Sequence, residues 1–270
     1  MPVREFTLMG VVNVTPDSFS DGGRWIDPAA AIAHGRQLLA EGAGILDVGG
    51  ESTRPGALPV AADAEIARVV PVVSGLAGLD VQVSVDTSKA SVAAAALAAG
   101  ASYVNDVTAF RGDPELAGLV ADRGCDCCLM HMQGEPRTMQ HAPRYGDVVD
   151  DVKAFLEGRV AAAVAAGVRE DRIQLDPGIG FGKTVDHNLA LLARLDELVA
   201  LGFPVVVGTS RKSFLGALTG RTEPAERVAA TVAANVLAFT RGGRTFRVHD
   251  VAAARDALIV AAATLRAHGA

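Results

Sequence analysis

The sequence of 270 residues is poor in aromatic side chains, contains few cysteines and has no excess of basic residues. Phe, Trp and Tyr make up only 4% of a chain that is half hydrophobic, so the core must consist mainly of Val, Ala, Leu and Ile. The net charge of −6, without a basic stripe, argues against nucleic acid as the main partner. A small anionic substrate is still allowed, because a pocket can be locally basic in an acidic protein.

The three cysteines, Cys125, Cys127 and Cys128, are an odd and clustered set. Such a set makes a poor disulfide framework and favours a reducing cytoplasm, and we interpret these residues as small core side chains. A zinc site is disfavoured, because no second Cys/His pair follows at finger spacing.

Long apolar runs are also absent. No segment approaches the roughly 20 apolar residues that span a bilayer. The short apolar stretch near the N-terminus contains Arg4 and Glu5 and lacks the pattern of an export signal. We therefore expect a cytoplasmic protein that does not act at a membrane.

The sequence instead contains eight short apolar runs, and most of them lead into a polar residue. The runs are Phe6–Val12, Ile45–Val48, Val81–Val85, Tyr103–Val104, Cys127–Met130, Ile173–Leu175, Val205–Val207 and Phe246–Val248. Segments with helical patterning separate them: Pro28–Glu41, Asp63–Leu76, Lys89–Ala99, Asp113–Asp122, Asp147–Ala166, Val185–Ala200, Glu223–Phe239 and Val251–Ala267. Eight alternations of strand and helix without a linker predict one domain over residues 1–270, an α/β fold of the (β/α)8 TIM barrel type.

Polar residues at the strand ends indicate where the chemistry of such a barrel lies. Asn13, Asp86, Asn105, Asp176 and His249 all follow apolar runs directly, or within one residue. The carboxyl ends of barrel strands carry the catalytic groups, so the pattern predicts an enzyme. Capping of the next helix is the alternative for each strand-end aspartate, and for Asp86 alone the two interpretations are even.

Three long loops follow strands one, two and five, on the same rim. The three loops comprise residues 13–27, 49–62 and 132–144. Loops of this length are usually lids or binding segments. In the first, Phe19 and Asp21 favour a lid over an ordinary turn, and the amide oxygen of Asn13 is a possible Mg²⁺ ligand. In the second, Arg54 beside Thr53 is either an anion clamp or simply solvated.

Two further segments point to anion binding. The run from Asp176 to Thr184 approaches a P-loop but has Pro177 where the first glycine is required, so ATP binding is set aside. Ser210–Ser213 follow strand seven, and Arg247 and His249 close strand eight, a region where many barrels bind phosphate. A lone Arg or His on a strand is more often structural, but several cationic or donor groups at one corner favour an anion site.

Taken together, these segments resemble the dihydropteroate synthase family of the folate pathway. The matching stretches are MGVVNVTPDSFSDGG (Met9–Gly23), DVGGESTRPGA (Asp47–Ala57), SVDTSK (Ser84–Lys89), VNDV (Val104–Val107), LMHMQG (Leu129–Gly134), LDPGIGFGK (Leu175–Lys183), GTSRKSFLG (Gly208–Gly216) and RVHDV (Arg247–Val251). They lie in family order over nearly the whole chain, and the first two are highly specific.

The resemblance implies a pterin-binding transferase that joins 6-hydroxymethyl-7,8-dihydropterin pyrophosphate to p-aminobenzoate and releases pyrophosphate, through an SN1-like ionisation. It implies Mg²⁺ as cofactor and a homodimer. By position, the pterin contacts are Asp86, Asn105, Asp176 and Lys212. The pyrophosphate and Mg²⁺ end comprises Asn13, Thr53, Arg54, Arg247 and His249. The p-aminobenzoate side comprises Phe19, Asp21, Thr53, Pro55, Phe181 and Ser213, and the catalytic set is Asp21, Asp86, Asp176 and Lys212.

Three other interpretations remain at this point. A methyltetrahydrofolate-dependent methyltransferase barrel would not need the Ser210–Ser213 corner or the anion site at Arg247. A catalytically silent pterin-binding paralogue would be favoured by loss of Asp21, Arg54 or Lys212, all of which are present. A metal-dependent amidohydrolase would want His-x-His after the first strand, and the sequence has none there.

Overall fold

The computed structural model describes residues 5–15, 27–54 and 56–269, with side chains to residue 267. Its strands are β1 (Thr7–Asn13), β2 (Ile45–Gly49), β3 (Gln82–Asp86), β4 (Tyr103–Asp106), β5 (Asp126–Met130), β6 (Ile173–Asp176), β7 (Val206–Val207) and β8 (Thr245–Val248). Its α-helices are α1 (Pro28–Glu41), α2 (Ala62–Leu76), α3 (Ala90–Ala98), α4 (Leu116–Arg123), α5 (Val148–Ala165), α6 (Val185–Ala193), α7 (Leu195–Val199), α8 (Ser213–Thr219), α9 (Val228–Thr240) and α10 (Val251–Gly269).

The eight strands form one parallel sheet that closes on itself. Their order is β6-β5-β4-β3-β2-β1-β8-β7. A parallel bridge between Leu175 and Val205 joins the two ends, and the Leu175 amide donates to the Pro204 carbonyl at 2.9 Å. The predicted (β/α)8 barrel is confirmed, and every strand has its carboxyl end at the same rim.

Side chains inside the barrel change from apolar to polar along the strands. Met9, Ile45, Tyr103, Cys128 and Val206 form a buried apolar cluster contributed by five strands. Side chains alternate in direction along a strand, so the residue two positions further on faces the same way. In β2 and β4 these next inward positions are Asp47 and Asn105, and Asp176 ends strand β6; all three are 5% exposed or less. The apolar layer therefore forms a floor beneath a polar mouth.

The main hydrophobic core lies between the sheet and the surrounding helices, as in other α/β barrels. Helix boundaries agree with the sequence where capping signals are clear. The side chain of Asp27 accepts from the Ala29 amide at the start of α1, Pro28 occupies the first turn, and Gly42 ends the helix at φ +111°. These residues orient α1 against β1 and β2.

One predicted helix is divided in two. The sequence predicts a helix over Val185–Ala200, but the chain leaves helical geometry at Arg194 (φ −116°, ψ +30°). The Arg194 guanidinium bonds Asp147 at 2.7 Å and Glu197 at 2.6 Å. These contacts accompany the break and join the start of α7 to the start of α5.

Within the described ranges, none of the helices has the length and apolar character needed to cross a bilayer.

Candidate active site

Asp47 is the central acceptor of a hydrogen-bond network in the barrel mouth. Its side chain is fully buried in β2. Oδ1 accepts from Ser84 Oγ at 2.6 Å, and Oδ2 accepts from Asn105 Nδ2 at 3.1 Å and from Arg247 Nε at 2.7 Å. The three donors lie on β3, β4 and β8, so one carboxylate links four strands. A buried carboxylate is stable only when it is paired in this way.

Arg247 connects a second carboxylate to this network. Its Nη2 donates to Asp86 Oδ2 at 2.8 Å, where β3 ends. Burial raises the pKa of Asp86 above its usual range, and the Arg247 guanidinium opposes that shift. Asp47 and Asp86 together occupy two of the five N–H groups of Arg247. The remaining N–H groups are those with which Arg247 can bind an anion.

Asp176 occupies the end of β6 and holds the following turn. Its Oδ1 accepts from the Gly178 amide at 2.6 Å, whereas no described residue donates to Oδ2. Gly178 has φ +67°, and a Cβ there would lie 1.8 Å from the His131 carbonyl oxygen, so only glycine fits. Burial raises the pKa of Asp176, against the charges of Lys212, Lys183 and Arg247. One carboxylate oxygen is thus structural and the other is available to a ligand.

Lys212 lies directly before α8, and its side chain is close enough to Asp176 for the two charges to interact. Its Nζ is 3.9 Å from the centre of the Phe181 ring, a cation–π contact. Burial, and secondly the charge of Arg247, lower the pKa of Lys212 to about 8, while Asp176 acts in the opposite direction. The side chain is partly exposed. A cation, a carboxylate and an aromatic ring therefore meet at one side of the mouth.

A second lysine, Lys183, lies at the end of the β6–α6 loop (residues 177–184). It is 3% exposed, and its Nζ bonds His131 Nδ1 at 2.9 Å and the Phe181 carbonyl at 3.1 Å. Burial lowers the pKa of Lys183 to about 7 and that of His131 to about 3. Lys183 therefore ties this loop, which carries Phe181, to the end of β5.

The corner after β7 and β8 contains the predicted anion-binding groups. Ser210 Oγ and His249 Nδ1 are 2.9 Å apart, and the His249 amide donates to Ser210 Oγ at 3.1 Å. Burial lowers the pKa of His249 to about 3, helped by the charge of Arg247, so the ring is neutral. Arg211 forms two bonds to Asp250, at 2.6 and 3.0 Å, and this pair fastens the corner. Ser213 follows as the exposed first residue of α8.

The residues predicted on the loop after β2 lie at the rim. We call residues 50–61 loop 2. Thr53 is partly buried and Arg54 is exposed. Asn13 ends β1, and a Cβ at Gly49 would lie 3.9 Å from its Oδ1 and 3.5 Å from Asp86 Cβ, so Asn13 and Asp86 flank the same glycine. Phe19, Asp21 and Pro55 lie outside the described residues.

The structure thus brings most of the predicted residues to one mouth. Asp86, Asn105, Asp176, Lys212 and Arg247 are connected by hydrogen bonds or by charge coupling. His249, Asn13, Thr53, Phe181 and Ser213 come from the surrounding rim. The three cysteines are buried free thiols, and burial raises the pKa of each one, as expected for core residues.

Sequence reasoning missed two residues of this mouth. Asp47 was visible as a charged residue inside the apolar run Ile45–Val48, and that interruption was its only signal. Lys183 was noted only as part of a failed nucleotide-binding pattern, although a lysine in a glycine-rich segment after a strand is a candidate for burial. Both residues act through partners, Asp47 on Arg247 and Lys183 on His131.

Comparison with known proteins places this chain in a family. Residues 9–249 match the sequence profile of the pterin binding enzymes. A dihydropteroate synthase of Neisseria meningitidis serogroup C is 50% identical over 256 residues, which cover 93% of this chain and 90% of that protein. The chain belongs to the dihydropteroate synthases. It is therefore a pterin-binding transferase of folate biosynthesis.

Solved dihydropteroate synthases have the same fold. The enzyme of Yersinia pestis, in complex with a sulfonamide drug, superposes with a TM-score of 0.92 at 45% identity and covers 96% of this chain and 94% of its own. The enzyme of Xanthomonas albilineans with 4-aminobenzoic acid gives a TM-score of 0.90 at 50% identity, covering 96% and 93%. The barrel and the order of its motifs are thus those of known dihydropteroate synthases.

Proposed function

We propose that this chain condenses 6-hydroxymethyl-7,8-dihydropterin pyrophosphate with p-aminobenzoate, giving 7,8-dihydropteroate and pyrophosphate. Membership of the dihydropteroate synthases supports the reaction. The observation that carries the residue assignment is the mouth itself, in which Asp86, Asp176, Asn105 and Lys212 converge above an apolar floor. Acceptors and donors in that arrangement complement a flat heterocycle that carries both N–H groups and a carbonyl.

At the pterin end, the two buried aspartates accept hydrogen bonds from ring N–H groups. Asp176 offers Oδ2, because Oδ1 is engaged by Gly178. Asp86 is held by Arg247, and Asn105 is oriented by Asp47. Lys212 donates to the pterin carbonyl. The rigid strand ends fix these groups before substrate arrives, which is the condition for electrostatic catalysis.

At the pyrophosphate end, Arg247 and His249 supply donors from β8, and Thr53 and Arg54 supply donors from loop 2. If the Ser210 hydroxyl donates to His249 Nδ1, the ring proton resides on Nε2 and can reach the anion. Arg54 is exposed and able to close over the anion as a forked clamp.

We propose Mg²⁺ as the metal of this end. Within the described ranges no group of three His, Cys, Asp or Glu side chains is arranged to hold an ion. The donor set nevertheless fits Mg²⁺, which is usually held by one or two protein oxygens together with substrate phosphates and waters. Asn13 Oδ1 would be the protein ligand, and no described residue donates to it. When bound, the ion neutralises charge on the departing pyrophosphate.

The chemical step breaks the bond between the pterin methylene carbon and the pyrophosphate oxygen, and the electron pair leaves with oxygen. Positive charge then spreads into the pterin ring, where the carboxylates of Asp86 and Asp176 stabilise it. The neutral amine of p-aminobenzoate attacks the methylene carbon and loses a proton afterwards. An arylamine is unprotonated at neutral pH, so the step requires no strong general base.

The p-aminobenzoate side is assigned to loop residues around the mouth. Among the described residues, the proposed set comprises Phe181 and Ser213, with Thr53 from loop 2. Lys212 over the Phe181 ring holds that aromatic face in place. Phe19, Asp21 and Pro55 complete the proposed set, and Asp21 belongs to the proposed catalytic residues.

The assignment is tested by following isotope-labelled p-aminobenzoate into dihydropteroate in the presence of pterin pyrophosphate and Mg²⁺. We expect turnover that requires all three components and stops when EDTA removes the ion. Label that stays in p-aminobenzoate under these conditions would overturn the assignment, and full turnover in EDTA would remove Mg²⁺ from it.

We also propose a homodimer, a cytoplasmic location and a single pterin-binding domain over residues 1–270. Exposed apolar side chains on the adjacent helices α9 and α10, including Leu237, Ile259 and Val260, support the dimer. Free buried thiols suit a reducing compartment. The barrel elements from β1 to α10 form one closed sheet with its helices, which supports one domain.

A further inference from the structure

Lys89 lies between two carboxylates beside the substrate contacts described above. It precedes α3, and its Nζ donates to Glu51 Oε2 in loop 2 and to Glu65 Oε2 in α2, the latter at 2.5 Å. Glu65 has no exposed side-chain surface, whereas the side chains of Lys89 and Glu51 are 26% and 24% exposed. One ammonium thus bridges a buried carboxylate on a helix and a carboxylate on a loop.

The buried carboxylate depends on this lysine. No described residue donates to Oε1 of Glu65, which is inaccessible to solvent. Burial acts to lower the pKa of Lys89, but its bonds to Glu51 and Glu65 outweigh this effect and raise it. The lysine is therefore charged at neutral pH, and a Glu65 without this partner would be costly.

The start of loop 2 is held at a second point. The Gly50 carbonyl accepts from Arg68 Nη1 at 2.8 Å. A Cβ on Gly50 would lie 2.7 Å from Val69 Cγ1 and 2.9 Å from Glu65 Cγ, so the backbone of Gly50 packs directly on α2. Two successive residues, Gly50 and Glu51, are consequently fixed to α2 and α3.

These two points restrict the residues that follow. Thr53 and Arg54 come two and three positions after Glu51, and a chain reaches at most about 3.6 Å per residue. A cavity of about 110 Å³ is lined by Glu51 and Glu65 and also by Thr53 and Asp86. The charged triad therefore adjoins the mouth without being part of its substrate contacts.

We propose that Glu51, Lys89 and Glu65 act as a clamp that positions loop 2, so that Thr53 and Arg54 face the departing pyrophosphate. Lys89 and Glu51 are positioning residues, since they act through the loop and do not touch substrate. The inference rests on the proposed role of Arg54. Within the clamp, Glu65 is fixed in α2, and Glu51 is the loop residue that Lys89 holds in place.

The first test is a double-mutant cycle between Glu51 and Arg54, measured as kcat/KM for pterin pyrophosphate. We expect Glu51→Ala to lower kcat/KM by about tenfold, because a misplaced clamp loses transition-state contacts. In the Arg54→Ala background the same change should cost less than about twofold, since the group that it positions is gone. Lys89→Arg, which can form both ion pairs, should retain most activity, whereas Lys89→Met should not.

The matched control is Asp126→Ala. Asp126 begins β5 at the opposite end of the barrel, and its side chain pairs with Arg172 at 3.0 Å and is 23% exposed, much like Glu51. It should leave kcat/KM unchanged in both backgrounds. Where Arg54→Ala itself lowers kcat/KM, equal losses from Glu51→Ala with and without Arg54, or no loss at all, would overturn the clamp.

The second test is hydrogen exchange of the backbone of loop 2, which does not depend on the role of Arg54. Glu51→Ala should speed exchange at residues 51–54 by about tenfold, and Asp126→Ala should not. Unchanged exchange in Glu51→Ala would overturn the clamp whatever Arg54 does. Faster exchange together with normal kcat/KM in Arg54→Ala would uphold the anchoring of the loop and reject only the assigned role of Arg54.

Discussion

At the scale of single residues, the barrel mouth consists of charged groups whose environments shift their protonation. Lys212 and Lys183 have lowered pKa values, while those of Asp86 and Asp176 are raised. Burial is the first cause in all four cases. Such shifts are concentrated at functional sites, because a site that excludes water penalises charge until a substrate supplies a partner.

Lys212 should determine the alkaline limit of pterin use. In the proposed site the ammonium form donates to the pterin carbonyl, and burial lowers the pKa of Lys212 in the free enzyme to about 8. As pH rises through that value, kcat/KM for pterin pyrophosphate should fall, since this quantity reports the free enzyme. Lys212→Arg, which stays charged, should move the falling limb to higher pH, even if its activity is lower. An unmoved limb in the pH profile would assign it to another group.

Asp47 should be as important as the residues that touch substrate. Asp47→Asn keeps the shape but replaces an acceptor by an amide that faces three donors. We expect loss of pterin affinity and a lower melting temperature together, because both Arg247 and Asn105 lose their partner. Ser84→Ala removes only one donor and is the milder control. Normal pterin binding in Asp47→Asn, measured by calorimetry, would contradict this role.

At this scale the sequence predicts which polar residues lie at strand ends, but it does not predict which side chains bond each other. Asp86, Asn105 and Asp176 were found because a polar residue directly after a buried strand needs an explanation. The bonds of Asp47 join β2 to β3, β4 and β8, and Arg247 is 200 positions away. Such a bond depends on strand register and barrel closure, which no local pattern contains.

At the scale of elements, the β6–α6 loop is held by a buried lysine, and this has a consequence for stability. The pKa of Lys183 is about 7 in the folded chain and about 10.4 in the unfolded chain. Between these values the unfolded chain carries a proton that the folded chain has released. The free energy of unfolding should therefore rise with pH over that window, by at most about 1.4 kcal/mol per pH unit from this group.

Lys183→Met isolates this contribution. The variant lacks the titrating group, so its free energy of unfolding should rise less steeply between pH 7 and pH 10 than that of the unchanged protein. Denaturant titrations at several pH values measure the difference. Parallel pH dependences in the two proteins would show that Lys183 stays protonated in the fold.

Helices were predicted well where local signals decide and less well where tertiary contacts do. The predicted helix Pro28–Glu41 has the limits of α1, because Pro28 in the first turn and Gly42 after the last turn are local signals. The break at Arg194 was missed, because its partner Asp147 is 47 positions away. The long loops could be recognised in the sequence by their length. The residues that anchor them could not, because the bond of Lys89 to Glu65 forms only when α2 and α3 pack against each other.

At the scale of the whole molecule, exposed apolar side chains on α9 and α10 are the basis of the proposed dimer. Leu237, Ile259 and Val260 are 52%, 51% and 65% exposed. Sedimentation should give a mass near twice 27.7 kDa. Leu237→Lys should shift the protein toward the monomer, whereas Val164→Lys on α5, which also introduces a charge at an exposed apolar position, should not. A monomeric mass for the unchanged chain would reject the dimer.

The central claim is that the charged barrel mouth ionises a pterin pyrophosphate and transfers the pterin to p-aminobenzoate. The most direct measurement compares pyrophosphate released with dihydropteroate formed, for the unchanged chain and for Asp176→Asn. We predict equal amounts of the two products in the unchanged chain, with Mg²⁺ and p-aminobenzoate present. Asp176→Asn should release pyrophosphate more slowly by on the order of a hundredfold or more, because a charge that stabilises the cationic transition state is lost. Pyrophosphate release by Asp176→Asn at the unchanged rate would contradict the account and leave Asp176 as a turn-forming residue alone.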